Sequence, residues 1–176
     1  MILAIPGSLR RSSINAAALR AAALAAARRG IAVMIADAVR QLPQFDPDLE
    51  AAPPLVVQRF RADCEAADGV LLAVPEYTFG IPGAFKNALD WTVRSGSLYR
   101  KPIAVLHVAP AGRGAHVPEA LAHVLRAHNA HVSHHHVPIA QHDRNADGEI
   151  IDTRIVEQLR TLVAQLAQRG SSRHAA

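Results

Sequence analysis

Short apolar runs alternate with alanine-rich or amphipathic stretches along the whole chain. The runs near 2–5, 31–36, 70–74, 103–108 and 131–137 read as strands, and the stretches near 13–29, 54–67, 83–93, 116–129 and 152–169 read as helices. In the last of these, Ile155, Leu159, Leu162, Val163 and Leu166 recur at helical spacing, so one face must bury. Asp152 or Thr153 can cap its start by accepting from the free backbone N–H groups. Five apolar strands separated by helices predict an α/β fold: a three-layer arrangement with a five-stranded parallel sheet and helices on both faces. No internal repeat or linker interrupts the alternation. A single domain is therefore expected over 1–170, with a disordered tail over 171–176.

Composition narrows the classes. The 176 residues fit one domain able to bury its own core, and half of them are hydrophobic. No apolar run approaches the ~20 residues of a membrane span. The opening Met1-Ile2-Leu3-Ala4-Ile5-Pro6 has no basic leader and reads as the first strand, which favours the cytoplasm. Cys64 is the only cysteine, so neither an intrachain disulfide nor a cysteine-rich zinc site can form, and it is expected to pack inside the helix around 60–67. The net charge of +4 comes almost entirely from arginine, Lys86 and Lys101 being the only lysines. These charges are scattered and aromatic residues are few, which argues against a nucleic-acid partner. Attraction of phosphate-bearing cofactors is a better use of them, unless arginine simply follows base composition.

Two strands open into loops rich in chemistry. After the first, Gly7 permits a sharp turn, and Ser8, Ser12 and Ser13 place hydroxyls just before a helix whose free N–H groups and dipole favour an anion. Arg10 adds a charge-assisted, potentially bidentate contact. The plain alternative is that Ser12 or Ser13 is an N-cap and Arg10 a solvated charge. After the third strand comes Pro75-Glu76-Tyr77-Thr78-Phe79-Gly80-Ile81-Pro82-Gly83, then Lys86, Asn87, Asp90 and Trp91 on one helix. For these four the structural reading is preferred: a Lys86–Asp90 i,i+4 pair, Asn87 tying the loop to its helix, and Trp91 anchoring a core or subunit contact.

Other segments invite sharper readings that weaken on inspection. His134-His135-His136 suggests a metal, but consecutive strand residues point to alternate faces and cannot all converge. The run Asp143-Arg144-Asn145-Ala146-Asp147-Gly148-Glu149 suggests calcium, yet Arg144 and the missing spacing argue for a turn before the last helix. No metal site is expected. Gly112 and Gly114, after the fourth strand, suit close approach to a ligand, and Arg113 either reaches a substrate or sits on an ordinary turn.

Taken together, Gly7-Ser8-x-Arg10-x-x-Ser13-x-Asn15 and Pro75-Glu76-Tyr77…Pro82-Gly83…Lys86-Asn87-Ala88-x-Asp90-Trp91 resemble the NADPH-dependent FMN reductase family, flavodoxin-like enzymes that include quinone, chromate and azo-dye reductases. The resemblance implies a flavodoxin-like sheet of order 2-1-3-4-5, with the ligand at the carboxyl ends of the strands near the order reversal. It implies FMN as cofactor and NADPH or NADH as reductant. The cofactor-binding set it implies is Ser8, Arg10, Ser13, Ile14, Asn15, Pro75, Glu76, Tyr77, Thr78, Phe79 and Gly112. Ser8, Arg10, Ser13 and Asn15 would hold the phosphate and the start of the ribityl chain. Backbone groups of Glu76 to Phe79 would meet the polar edge of the flavin, with Tyr77 or Phe79 as apolar cover.

No catalytic side chain is implied, because the chemistry belongs to the cofactor. Arg11 is a further candidate for attracting NADPH. Thr78 stands where the family usually has Asn, Gly80 where Ser is frequent, and the 109–116 loop departs from the family's Ser/Gly-rich pattern. The expected function is an FMN-dependent NAD(P)H oxidoreductase that passes hydride to a small acceptor such as a quinone, an azo compound, chromate or free flavin. A homodimer or homotetramer is expected, with Phe85, Trp91, Leu98 and Tyr99 near the subunit contact, and neither nucleic acid nor membrane as partner. The alternatives are a flavodoxin-like electron carrier and a binding module that has lost tight flavin binding.

Overall fold

A computed structural model describes residues 1–10, 12–110 and 113–174. Its elements follow the predicted alternation: β1 (Ile2–Pro6), α1 (Ile14–Ala27), β2 (Val33–Ile35), α2 (Leu55–Ala66), β3 (Gly69–Ala73), α3 (Gly83–Val93), β4 (Pro102–His107), α4 (Val117–Arg126), β5 (His131–His136) and α5 (Thr153–His174). All neighbouring strands pair in parallel, in the order β2-β1-β3-β4-β5, as the family resemblance implied.

Strand alternation sorts the core into two layers. Leu3, Ile5, Val70, Leu72, Ile103 and Val105 face α2, α3 and α4, where Phe60, Phe85, Trp91 and Leu121 complete one layer. Ile2, Ala4, Leu71, Ala73, Ala104 and Leu106 face α1 and α5. The small side chains Ala17, Ala18, Ala22 and Ala26 let α1 lie close against the sheet beside Leu159, Val163 and Leu166 of α5. The three central strands are apolar and buried; the edge strand β2 (Val33-Met34-Ile35) is apolar but only half-buried, and the edge strand β5 is largely exposed and histidine-rich. The expectation of five apolar strands therefore fails at β5 alone; an edge strand has one flank open to water and tolerates polar residues.

Several structural expectations are met. Cys64 is fully buried on α2. Lys86 Nζ lies 2.6 Å from Asp90 Oδ1, and Trp91 is buried with Arg61 5.5 Å over its ring. Arg61 in turn donates to Glu50 at 2.8 Å, a largely buried pair. The other lysine, Lys101, is buried, and its ammonium donates to the Glu65 and Ala67 carbonyls, satisfying the end of α2 where the helix dipole favours a cation.

Other expectations need correction. Asn87 does not tie the 75–82 loop: it accepts from Phe45 N at 2.7 Å and donates to the Pro43 carbonyl at 2.9 Å, fastening the segment that follows β2. Phe85, Trp91 and Leu98 are fully buried inside the subunit and cannot form a subunit contact; Tyr99 alone of that group is exposed. Helix α5 continues to His174 instead of ending near 169, with the Ser171 and Ser172 hydroxyls donating to the Ala167 and Gln168 carbonyls. Gly170 lets its last turns pass close to the β3 side, since an added Cβ there would lie 2.7 Å from the Asp68 carbonyl oxygen.

Candidate flavin site

The loops after β1, β3 and β4 meet at the carboxyl ends of the central strands. Gly7 makes the first junction possible: its amide donates to the Ala73 carbonyl at 2.8 Å, and a Cβ there would stand 2.7 Å from Val74 Cα. The β1 and β3 loops thus touch backbone to backbone. Ser8 Oγ and the Tyr77 hydroxyl, 3.2 Å apart, join them a second time. Ser13 is the N-cap of α1, its hydroxyl accepting from Asn15 N at 3.2 Å, so the capping alternative is realised while the residue also faces the cavity described next.

Two cavities lie side by side. One, of about 780 Å³, is lined by Ser8, Arg10, Ser12, Ser13, Asn15 and Tyr77 on one side and by the turn between β5 and α5 on the other. The second, of about 650 Å³, lies between Pro75, Glu76, the loop after β4 and the ends of β4 and β5. Ile14, Asn15 and Pro75 line both, so the two adjoin at the start of α1 and at Pro75. Asn15 is 4% exposed, and its Oδ1 is buried without a hydrogen-bond partner. A buried acceptor left unpaired is unfavourable unless something in the cavity donates to it.

Seven of the sequence-predicted residues, Ser8, Arg10, Ser13, Ile14, Asn15, Pro75 and Tyr77, line the first cavity, and Glu76 joins the second. Arg10 is exposed at the rim, its Nε donating to Ser12 Oγ at 3.0 Å. Glu76 Oε2 accepts from His116 N at 2.9 Å, which fixes the loop after β4 against the loop after β3.

Thr78 and Phe79 line neither cavity. They are the central pair of a tight turn in which Tyr77 and Gly80 exchange backbone bonds of 2.9 and 3.0 Å, and both have positive φ, +51° and +59°. This is the conformation of a type I′ turn, which favours Asn and Gly. Within this turn the Tyr77 amide is spent on the Gly80 carbonyl. Phe79 stands 75% exposed with its ring edge-on to His116 at 5.2 Å, so it flanks the site from outside. Gly112 and Arg11 lie outside the described residues.

The sequence reading missed two groups. His107, His134 and His136 all line the second cavity, because β5 pairs with β4 in a register that sets His107 beside His136 and Val105 beside His134. His107 Nε2 is 2.9 Å from His134 Nδ1, the rings are stacked, and His136 bonds the Ala109 carbonyl at 3.0 Å. Partial burial, followed by the neighbouring histidines, pushes the His107 pKa down to about 4, so the pair is neutral near pH 7. Among the described residues no group of three ligands able to hold a metal occurs. The second group is Gln141, Arg144, Asn145 and Asp147, which line the first cavity together with the loop after β1. The sequence marks the 143–149 run only as a turn, since only the fold brings that turn to the loop after β1.

Comparison with known proteins agrees with this geometry. The family model described as NADPH-dependent FMN reductase matches residues 1–144. An NAD(P)H-dependent FMN reductase of Pseudomonas aeruginosa is 40% identical over 115 residues, covering 64% of this chain and 60% of that protein. A rice (Oryza sativa subsp. japonica) protein named "Probable NADPH:quinone oxidoreductase 2" is 33% identical over 178 residues, covering 94% of this chain and 86% of its own. Among solved structures, the flavoenzyme NAD(P)H:(acceptor) oxidoreductase FerB of Paracoccus denitrificans superimposes with a TM-score of 0.78 at 26% identity, over 97% of each chain. The match thus spans well under two thirds of the Pseudomonas relative but most of the rice protein and of FerB. With the paired loops, the sheet order and these matches in agreement, the chain belongs to the NADPH-dependent FMN reductase family.

Proposed function

We propose that the protein is an FMN-dependent NAD(P)H oxidoreductase that passes reducing equivalents to a small acceptor of the quinone, azo, chromate or free-flavin type. The observation that carries this reading is the pair of adjoining cavities that share Asn15, whose buried Oδ1 lacks a donor. One cavity offers serine hydroxyls, an arginine and the start of α1, which suits a phosphate and a polyhydroxyl chain. The other is mainly apolar, with Ile14, Val74, Pro75, Val108, Pro110 and Val117 in its wall, which suits a flat ring system. Bound FMN supplies the hydride-accepting and hydride-donating centre.

The chain's own residues do the rest. Ser8, Arg10 and Ser13 hold the phosphate, and Asn15 Oδ1 accepts from a ribityl hydroxyl. Pro75 and Glu76 would seat one side of the ring, and the Thr78–Phe79 turn, which lines neither cavity, would meet at most its outer edge. The neutral His107–His134 pair adds no charge to the ring cavity near pH 7.

The protein works in the cytoplasm as a homodimer or homotetramer in this reading, and Tyr99 is the residue of the expected contact group left to serve an interface. Among the described residues no helix is long and apolar enough to cross a membrane. Steady-state oxidation of NADPH and NADH by the FMN-loaded protein, with and without a benzoquinone, tests the reading. Acceptor-dependent oxidation supports it; oxidation no faster than with free FMN counts against it.

A further inference from the structure

The cavity that faces the loop after β1 has a second wall the family motif does not include. The turn between β5 and α5 brings Gln141, Arg144, Asn145 and Asp147 across from Ser8, Arg10, Ser12 and Ser13. This turn is well built. Asp143 accepts from Ala140 N at 2.7 Å, Asn145 accepts from Glu149 N at 2.9 Å, and Arg144 pairs with Ile150 as an antiparallel bridge.

Within it Arg144 is half-buried, and its side chain donates to the neutral amide oxygen of Gln141. Among the described residues it makes no salt bridge, and its Nε is buried with no hydrogen-bond partner. Asn15, whose Oδ1 is likewise buried and unpartnered, lines the same cavity. A desolvated guanidinium N–H and a desolvated carbonyl on two residues that line one cavity ask for a ligand that presents both acceptors and a donor. A phosphate ester carrying hydroxyls does so.

Charge points the same way. A phosphomonoester carries close to two negative charges at neutral pH. Arg10, tethered through Nε to Ser12, supplies one positive charge, and Asp147 on the facing turn subtracts from the field. Arg144 supplies the second. Arg20, one helical turn and more along α1, adds a third at the rim.

We propose that Arg144 is a phosphate-binding residue, so that the β5–α5 turn and the loop after β1 form a two-sided clamp on the phosphate of the bound ligand. The proposal rests on the flavin reading given above for the identity of that ligand, and on the cavity alone for the phosphate.

Comparing FMN with riboflavin isolates the phosphate. The apoprotein is titrated with each by flavin fluorescence, in the parent and in Arg144→Gln and Arg144→Lys, with thermal melts to confirm folding. Loss of a charge-assisted bond should weaken FMN about ten- to a hundred-fold in Arg144→Gln, leave riboflavin within about twofold, and flatten the salt dependence of FMN binding. Arg144→Lys keeps the point charge but not the fork and should recover part of the loss.

Equal losses for FMN and riboflavin would assign Arg144 to turn structure and overturn the clamp, as would no loss for either. A parent that binds FMN but is not reduced by NADPH sinks the reductase reading and leaves this result standing. If the parent binds no flavin, inorganic phosphate takes its place. Thermal protection by phosphate must then fall in Arg144→Gln, and equal protection in both proteins overturns the proposal.

Discussion

Thr78 sits at φ +51°, in a conformation that β-branched residues rarely adopt. For a non-glycine residue this region costs about 1–2 kcal/mol, because Cβ crowds the following carbonyl. The side chain is exposed, so burial does not confound the comparison. Replacing it with Asn, which tolerates the left-handed region, should recover about 1 kcal/mol. Gly relieves the strain fully but loses roughly 0.5–1 kcal/mol to the greater freedom of the unfolded chain, for a net gain of about 0.5 kcal/mol. Val keeps the branching and should gain nothing. For a domain of this size about 1 kcal/mol corresponds to roughly 2–4 °C in Tm. Urea unfolding of the four proteins should rank the midpoints Asn above Gly above Thr and Val, with a common slope. A Thr78→Asn midpoint at or below the parent's, or a Val midpoint equal to the Asn one, would show that the Tyr77–Gly80 turn does not hold Thr78 in this conformation.

Further outcomes follow from the same geometry. Gly7→Ala drives a Cβ into the Val74 backbone and should cost about 1–3 kcal/mol while displacing the β1 and β3 loops, so both urea midpoint and FMN affinity should fall; an unchanged affinity would refute the close approach. Asn87→Ala strips the Phe45 amide and the Pro43 carbonyl of partners and should cost about 2–3 kcal/mol by chemical denaturation. The Cys64 thiol, pushed up to about 12 chiefly by burial, should resist a thiol reagent at pH 8 in the folded protein and react at the rate of unfolding. Protonation of His107 opposes folding. Its folded pKa lies near 4 and its unfolded value near 6.5, so the unfolded chain binds more protons between those limits and stability falls as pH drops through that window. Urea midpoints at pH 7 and pH 5 should therefore differ less in His107→Gln than in the parent.

What the sequence disclosed and what it hid divide along physical lines. The central strands were legible because burial on both faces demands uninterrupted apolar runs, as in Val70 to Ala73. The loops after β1 and β3 were legible because Gly7, Arg10 and Asn15, or Pro82 and Gly83, stand at fixed offsets from a strand end and a helix start. Gathering that depends on register was not legible. His134 and His136 reach the second cavity only because β5 pairs with β4 as it does, and on an edge strand their polarity alone looks like solvent exposure. Arg144 was read as evidence against a calcium loop, when the fold carries its turn across to the loop after β1. Asn87 and its carbonyl partner, 44 positions apart, have no local signature at all. The Thr78 substitution was visible as a departure from Asn, but its meaning lay in a positive φ that the sequence does not print.

The central claim is that the paired cavities hold FMN in a form NAD(P)H can reduce. Anaerobic visible absorption of the FMN-supplemented protein, recorded before and after NADPH or NADH, tests it most directly. The account predicts a protein-bound flavin spectrum that bleaches on addition of the reductant. A protein that leaves FMN free in solution, or binds it and keeps its absorbance with both reductants, contradicts the account.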